Sequence, residues 1–283
     1  MNYKELKDFL LSNADKKFSE FSKTLSNSDY KVIGVKNPVL RDLIKQHTKD
    51  EELKTEDFKI GEYLEVDFIY FGLSLARLKN IDDQFKFLEK NIRYAKSWAI
   101  TDTVSTYLKK HEFDKYFNFF RKMYCSSHTY DRRMAYIVGL KHYKDKRILD
   151  VLPYISLNDE YMVMMAEAWL MATVAIEYPN EIYEFLKETK DMTLKRKTIS
   201  KINESFRVSD DLKSKFKELR NGWANIIEHF LNIQNVILVY GTKEEKYEEK
   251  IRHYSIQHLC DSFVNGLCIL RWLFCWKDRS SLC

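Results

Sequence analysis

The chain has 283 residues, 45% apolar and 31% charged, which is enough length to close a core in one domain or two. Only 7 Gly and 3 Pro occur, and so few breakers exclude a turn-rich all-β fold in favour of helices joined by short loops. The net charge of +5 does not define an anion-binding protein by itself; it matters only where it gathers on one face.

Met1 leads into Asn-Tyr-Lys-Glu-Leu, which is no signal peptide, and no apolar run reaches the ~18 residues of a spanning helix. Cys125 stands alone in the first 220 residues; Cys260, Cys268, Cys275 and Cys283 come later. With no Cys-x-x-Cys and no His at finger spacing, no metal site is expected. A cytoplasmic chain in reducing surroundings is the expectation.

Apolar residues take helical spacing from the start: Leu6, Phe9 and Leu10, then Phe18, Phe21 and Leu25. A loop follows at 26–29. Gly34-Val-Lys-Asn-Pro38 reads as a helix entry, with Asn37 as cap and Pro38 in the first turn. Further helical stretches fall near 63–78, 82–93, 98–109, 113–123, 131–142, 146–155, 159–176, 180–189, 193–203 and 209–219. Their links are short. Helices starting near 65, 98, 131 and 161 recur every 30 to 35 residues, each followed by a shorter amphipathic partner. That rhythm predicts an all-α solenoid of antiparallel helix pairs, of the HEAT or armadillo kind; an irregular helical bundle is the alternative.

The rhythm breaks after about residue 220. Residues 221–283 carry seven basic and seven acidic side chains, so the excess lies in 1–220, with 40 basic against 35 acidic. Residues 236–240 look strand-like, 243–250 form a charge run, and 262–276 are apolar. A domain over 1–220 with a divergent extension over 221–283 is expected; the extension either caps the solenoid or is irrelevant to function.

Four stretches could carry chemistry. Trp98 and Asp102 are four apart and share a helix face, although a core Trp and an Asp serving the helix dipole would look the same. Arg133, with Arg132, sits in the first turn of a helix that Asp131 can cap, where the dipole opposes it; contact with phosphate or a buried carboxylate would explain it. The stretch 161–176 is apolar nearly all round, with Trp169 at its middle among small residues. Glu167 is its one charge and, if buried, must pair or keep its proton. Between Lys187 and Lys201 bases outnumber acids; Lys195 and Arg196 there, with Arg41 and Lys45, could form a phosphate-binding stripe. Solvated faces would give the same run.

Together these segments resemble the AlkD-like DNA alkylation repair glycosylases, a HEAT-like family, over about residues 1–220. Gly34-x-x-x-Pro38-x-x-Arg41 looks like the family's early segment, and Trp98-x-x-x-Asp102 like its tryptophan–aspartate pair. Arg133-Met-Ala-x-x-x-x-Leu140-x-x-Tyr143 resembles its arginine helix, and Ala166-x-x-Trp169-Leu its second tryptophan helix. Thr193-Leu-x-Arg196, followed by Ile199-x-x-Ile202, resembles its last basic helix.

The resemblance implies a concave basic groove on duplex DNA and cofactor-free, metal-free hydrolysis of the N-glycosidic bond of N3- or N7-alkylated purines. The lesion's positive charge makes the base a good leaving group. It implies Asp102 as catalytic carboxylate, Trp98 and Trp169 as aromatic walls, Arg133 as phosphate clamp, and no need to bury a flipped base. A nucleoid-associated monomer is expected. The alternatives are a non-catalytic binder of damaged or branched DNA, and a protein-binding helical scaffold.

Overall fold

Short polar residues set several of the helix starts. The computed structural model describes residues 1–26, 29–155 and 160–219. Asn2 opens α1 (Tyr3–Ser12) with a reciprocal box: its Oδ1 accepts the Glu5 N–H at 3.0 Å, and Glu5 accepts the Asn2 N–H at 3.1 Å. After α2 (Lys16–Ser26), α3 (Asn37–His47) begins one residue earlier than an Asn37 cap would put it. Lys36 is the cap and makes no side-chain bond; Pro38 is the second helical residue, where the missing N–H has no intrahelical partner to lose.

Then come α4 (Leu64–Arg77), α5 (Ile81–Asn91), α6 (Trp98–Val104), α7 (Phe113–Tyr124), α8 (Thr129–Gly139), α9 (Tyr161–Val174), α10 (Pro179–Glu188) and α11 (Met192–Glu204). A further helix spans 210–219. Three expectations are corrected in detail. Asp131 is not a cap: α8 starts at Thr129, and Asp131 in its first turn accepts the Ser126 hydroxyl at 2.6 Å. The segment Lys146–Tyr154 is a 3-10 helix with Pro153 inside it, not an α-helix. The expected helices over 98–109 and 131–142 end in single 3-10 turns at Ser105–Tyr107 and Leu140–His142.

The architecture is an all-α stack in two rows. In the first row α3, α4, α6, α8, α9 and α11 each pack on the next. From α4 on, these helices start at residues 64, 98, 129, 161 and 192, the repeat read from the sequence. The second row interleaves α5, α7, the Lys146–Tyr154 segment, α10 and the 210–219 helix. Side chains there repeat the period. Lys115 reaches Asp82 at 2.7 Å and Lys122 reaches Glu89 at 3.1 Å, both 33 residues apart and both tying α7 to α5. Arg147 meets Asp114 at 3.2 Å, again 33 apart. Tyr154 packs edge-on against Phe120 and Tyr124 of α7, and Tyr183 against Phe216.

Buried polar groups lock the first row. Glu65 of α4 is 2% exposed and its carboxylate accepts the N–H groups of Ile33, Gly34 and Val35 at 3.0, 2.7 and 3.3 Å. Gly34 lies at φ +98°, and a Cβ there would fall 2.2 Å from the Asp15 carbonyl oxygen, so only glycine fits. Asp67, one turn from the start of α4, accepts the Tyr30 hydroxyl at 2.5 Å and the Gly61 N–H at 2.8 Å. Arg77 donates to four carbonyls around the end of α3, those of His47, Thr48, Asp50 and Leu53. A cation there also suits the helix dipole.

α9 buries ten of its fourteen residues, as an apolar run without a polar face must. Its single charge, Glu167, is fully buried and hydrogen-bonds with Tyr136 of α8. The Tyr136 hydroxyl also donates to the Tyr154 carbonyl at 3.0 Å. Among the described residues no helix is long and apolar enough to cross a membrane, and the only strand-like pairing is a bridge between Lys31 and Tyr63. The expected strand at 236–240, like the rest of the proposed extension, lies outside the described residues.

Candidate functional site

Ser97 fixes the register of the site. It is fully buried, and its Oγ accepts the Ala99 N–H at 3.2 Å, which makes Trp98 the first residue of α6. Asp102 follows one turn later on the same face. α8 packs against α6 and brings Arg133 to Asp102: Nη2 donates to Oδ1 at 2.7 Å and Nε to the same oxygen at 3.2 Å. Nε also reaches Thr101 Oγ1 at 3.0 Å, and Nη1 donates to the Met162 carbonyl at 2.5 Å. One guanidinium, 4% exposed, thus joins α6, α8 and α9.

Burial pushes the Asp102 carboxyl above the ordinary carboxylate range. The charge and hydrogen bonds of Arg133 pull against that rise, with smaller help from Thr101 and Lys201. The result is a carboxylate that is held in place and poorly solvated, where its field acts with little screening.

Asp102 borders a cleft of about 570 Å³. Trp98 and Arg133 line it beside Asp102, and Tyr161, Met165 and Trp169, one turn apart on α9, line it too. Lys201 of α11 completes it. Tyr161 is 54% and Trp169 37% exposed, so the face of α9 that leaves the core is aromatic. Ring faces attract cations, and a carboxylate in the same cleft adds full charge to that attraction. The arrangement suits a cationic or cation-developing group. Among the described residues no cluster of three or more His, Cys, Asp or Glu could hold a metal ion.

The structure therefore brings Trp98, Asp102, Arg133 and Trp169 together at one cleft. It does not bring the other expected residues to them. Arg41 and Lys45 are exposed on α3, where Arg41 lies within electrostatic reach of Tyr107. Arg196 is exposed, with Nε on the Met192 carbonyl at 3.2 Å. Lys195 is 5% exposed and its ammonium sits 3.5 Å from the Lys187 carbonyl; burial pushes its pKa down. Two expected phosphate contacts thus need correcting. Arg133 and Lys195 are buried, and a side chain with its polar head inside the protein presents little to a phosphate.

A family model described as DNA alkylation repair enzyme matches residues 6–202, well over half of the chain. The chain belongs to that family. A comparison with curated proteins finds no match. In this DNA alkylation repair protein the matched segment runs from α1 to the last turn of α11 and contains every residue of the cleft.

Sequence reasoning missed Tyr161, Met165 and Lys201 in this family member's cleft. Tyr161 and Met165 precede Trp169 by eight and four residues, a spacing that shares its face; the methionine-rich run masked it by reading as core. Lys201 was only one base among several.

Proposed function

We propose that this protein hydrolyses the N-glycosidic bond of N3- or N7-alkylated purines in duplex DNA, working as a monomer without metal or cofactor. The observation that carries the reading is Asp102, fixed by a buried Arg133 and bordering a cleft that Trp98 and Trp169 also line, in a chain of the DNA alkylation repair family. The alkylated purine is already cationic. Its bond from the purine nitrogen to the sugar C1′ breaks with the electron pair going to the base, which leaves neutral. Positive charge moves to the sugar as an oxocarbenium-like centre. Asp102 stabilises that charge across a poorly solvated cleft, and the indole faces of Trp98 and Trp169 pack against the sugar. Water adds at C1′ and gives up a proton to the solvent as the new C–O bond forms; Asp102 is the group that orients it.

The test is release of free 7-methylguanine from methylated duplex DNA. Wild type is expected to release it, Asp102→Asn to be slower by a hundredfold or more, on the order of the loss of a charge-stabilising group, and Trp169→Ala to fall between them. Tight, salt-sensitive DNA binding with no release would leave a DNA-binding member of the family without this chemistry.

A further inference from the structure

A cleft that takes DNA needs cations for its phosphates, and two of the five that the sequence offered, Arg133 and Lys195, are buried. All three guanidinium nitrogens of Arg133 bond within the protein, and Lys195 turns its ammonium toward the Lys187 carbonyl. α11 nevertheless carries other bases. A helix turns about 100° per residue, so Lys197 and Lys201, four apart, share a face that lies about 120° or more from Lys195.

The observed contacts agree with that geometry. Lys201 lines the cleft together with Asp102 and Trp169. Lys197 Nζ lies 5.8 Å from the ring centroid of Tyr161, the most exposed aromatic of the same cleft. The two lysines are therefore set along one side of it, their Cα atoms about 6 Å apart in axial rise. Lys201 has a loose ion pair with Glu204 at 3.9 Å, and that glutamate is 69% exposed. Such surface pairs contribute little and exchange readily for a stronger anion. A phosphodiester is such an anion.

We propose that Lys197 and Lys201 form the phosphate-binding edge of the cleft, holding the backbone of the strand that carries the damaged nucleotide. The inference rests on the reading of the cleft as a DNA site, and it assigns positioning rather than chemistry. Arg196, next to Lys197 in sequence, lies about 100° or more off this face and is exposed. It serves as a control of equal charge.

The experiment is a salt titration of binding to a short undamaged duplex, using the full chain. Lys197→Ala and Lys201→Ala should each weaken binding about fivefold and lower the slope of log K against log salt by about one. The double variant should lower it by about two, Lys201→Arg should restore it, and Arg196→Ala should behave as wild type. Thermal melts confirm that each variant is folded, and Lys201→Gln replaces the alanine variant if that one is not. Wild-type slopes in both lysine variants, or an equal loss in Arg196→Ala, would overturn the proposal. Release of 7-methylguanine is read in parallel. No release with the lysine-dependent slope intact overturns the glycosylase reading alone. Release with unchanged slopes overturns the phosphate edge alone, and a wild type that binds no DNA overturns both.

Discussion

Arg133 and Asp102 are a half-sheltered pair in which each residue makes the other tolerable. Neutralising Arg133 leaves a poorly solvated carboxylate with less support, so its pKa, already raised by burial, must rise further. The ionised form is the one that stabilises a developing cation. Activity is therefore lost as pH falls through the Asp102 pKa, and a higher pKa moves that acid limb to higher pH. Arg133→Gln is expected to shift the acid limb of kcat/KM for 7-methylguanine release upward, while Arg133→Lys shifts it less. Loss of a buried partner also costs about 3–5 kcal/mol of stability, so melts of both variants accompany the profiles. An unmoved limb in a folded Arg133→Gln protein would mean that another group titrates.

At this scale the sequence shows residue types and faces but not partners. Trp98 and Asp102 could be paired by spacing alone. Whether Arg133 met a phosphate or a carboxylate depended on how α8 lies against α6, 31 residues away, and no local pattern encodes that. The same limit misjudged Lys195 and passed over Lys201, because the phase of α11 is set by what it packs on.

Among elements, α4 carries the most consequential polar anchors. Removing the Glu65 carboxylate would orphan three N–H groups at once, each worth about 1–3 kcal/mol when left buried without a partner. Glu65→Ala is expected to lower unfolding free energy in urea by at least about 3 kcal/mol. Gly34→Ala should cost at least about 2 kcal/mol through its positive φ and the Asp15 contact. A loss under 1 kcal/mol in both would show that the 33–35 turn is not anchored this way. Asp67 adds a pH signature. Burial pushes its carboxyl up to about 6 from 3.8, so its contribution to stability is complete below about pH 4 and is lost as pH rises through 6. Relative to Asp67→Asn, wild type should lose on the order of 3 kcal/mol between pH 4 and 7. A difference that is flat over that range would count against the shift. The misread element has a local cause. Over nine residues the buried Ile148 and Val151 of the Lys146–Tyr154 segment fit a period of 3.0 as well as 3.6, and only the placement of Pro153 hints at the tighter coil.

In the whole molecule, the repeat was legible because each helix pair occupies a fixed length of chain, so the starts of first-row helices keep time even where sequences diverge. What rhythm cannot show is which face of that row opens as a cleft, since that follows from packing between neighbours. The same nearest-neighbour packing predicts how the stack comes apart. In such an array each unit is stabilised mainly by the units beside it, so the ends open at lower cost than the middle. Leu6 and Leu10 bury α1 at one end of the stack, whereas Leu170 sits in α9 with α8 and α11 on either side. Leu6→Ala and Leu170→Ala delete comparable apolar volume, each worth about 2–5 kcal/mol. Hydrogen exchange should nevertheless separate them: Leu6→Ala should lose amide protection in α1 and α2 while α8 and α9 keep theirs, and Leu170→Ala should lower protection from α4 through α11. If Leu6→Ala instead weakens every helix equally, the stack unfolds as one cooperative block, and the cleft cannot be held by its immediate neighbours alone.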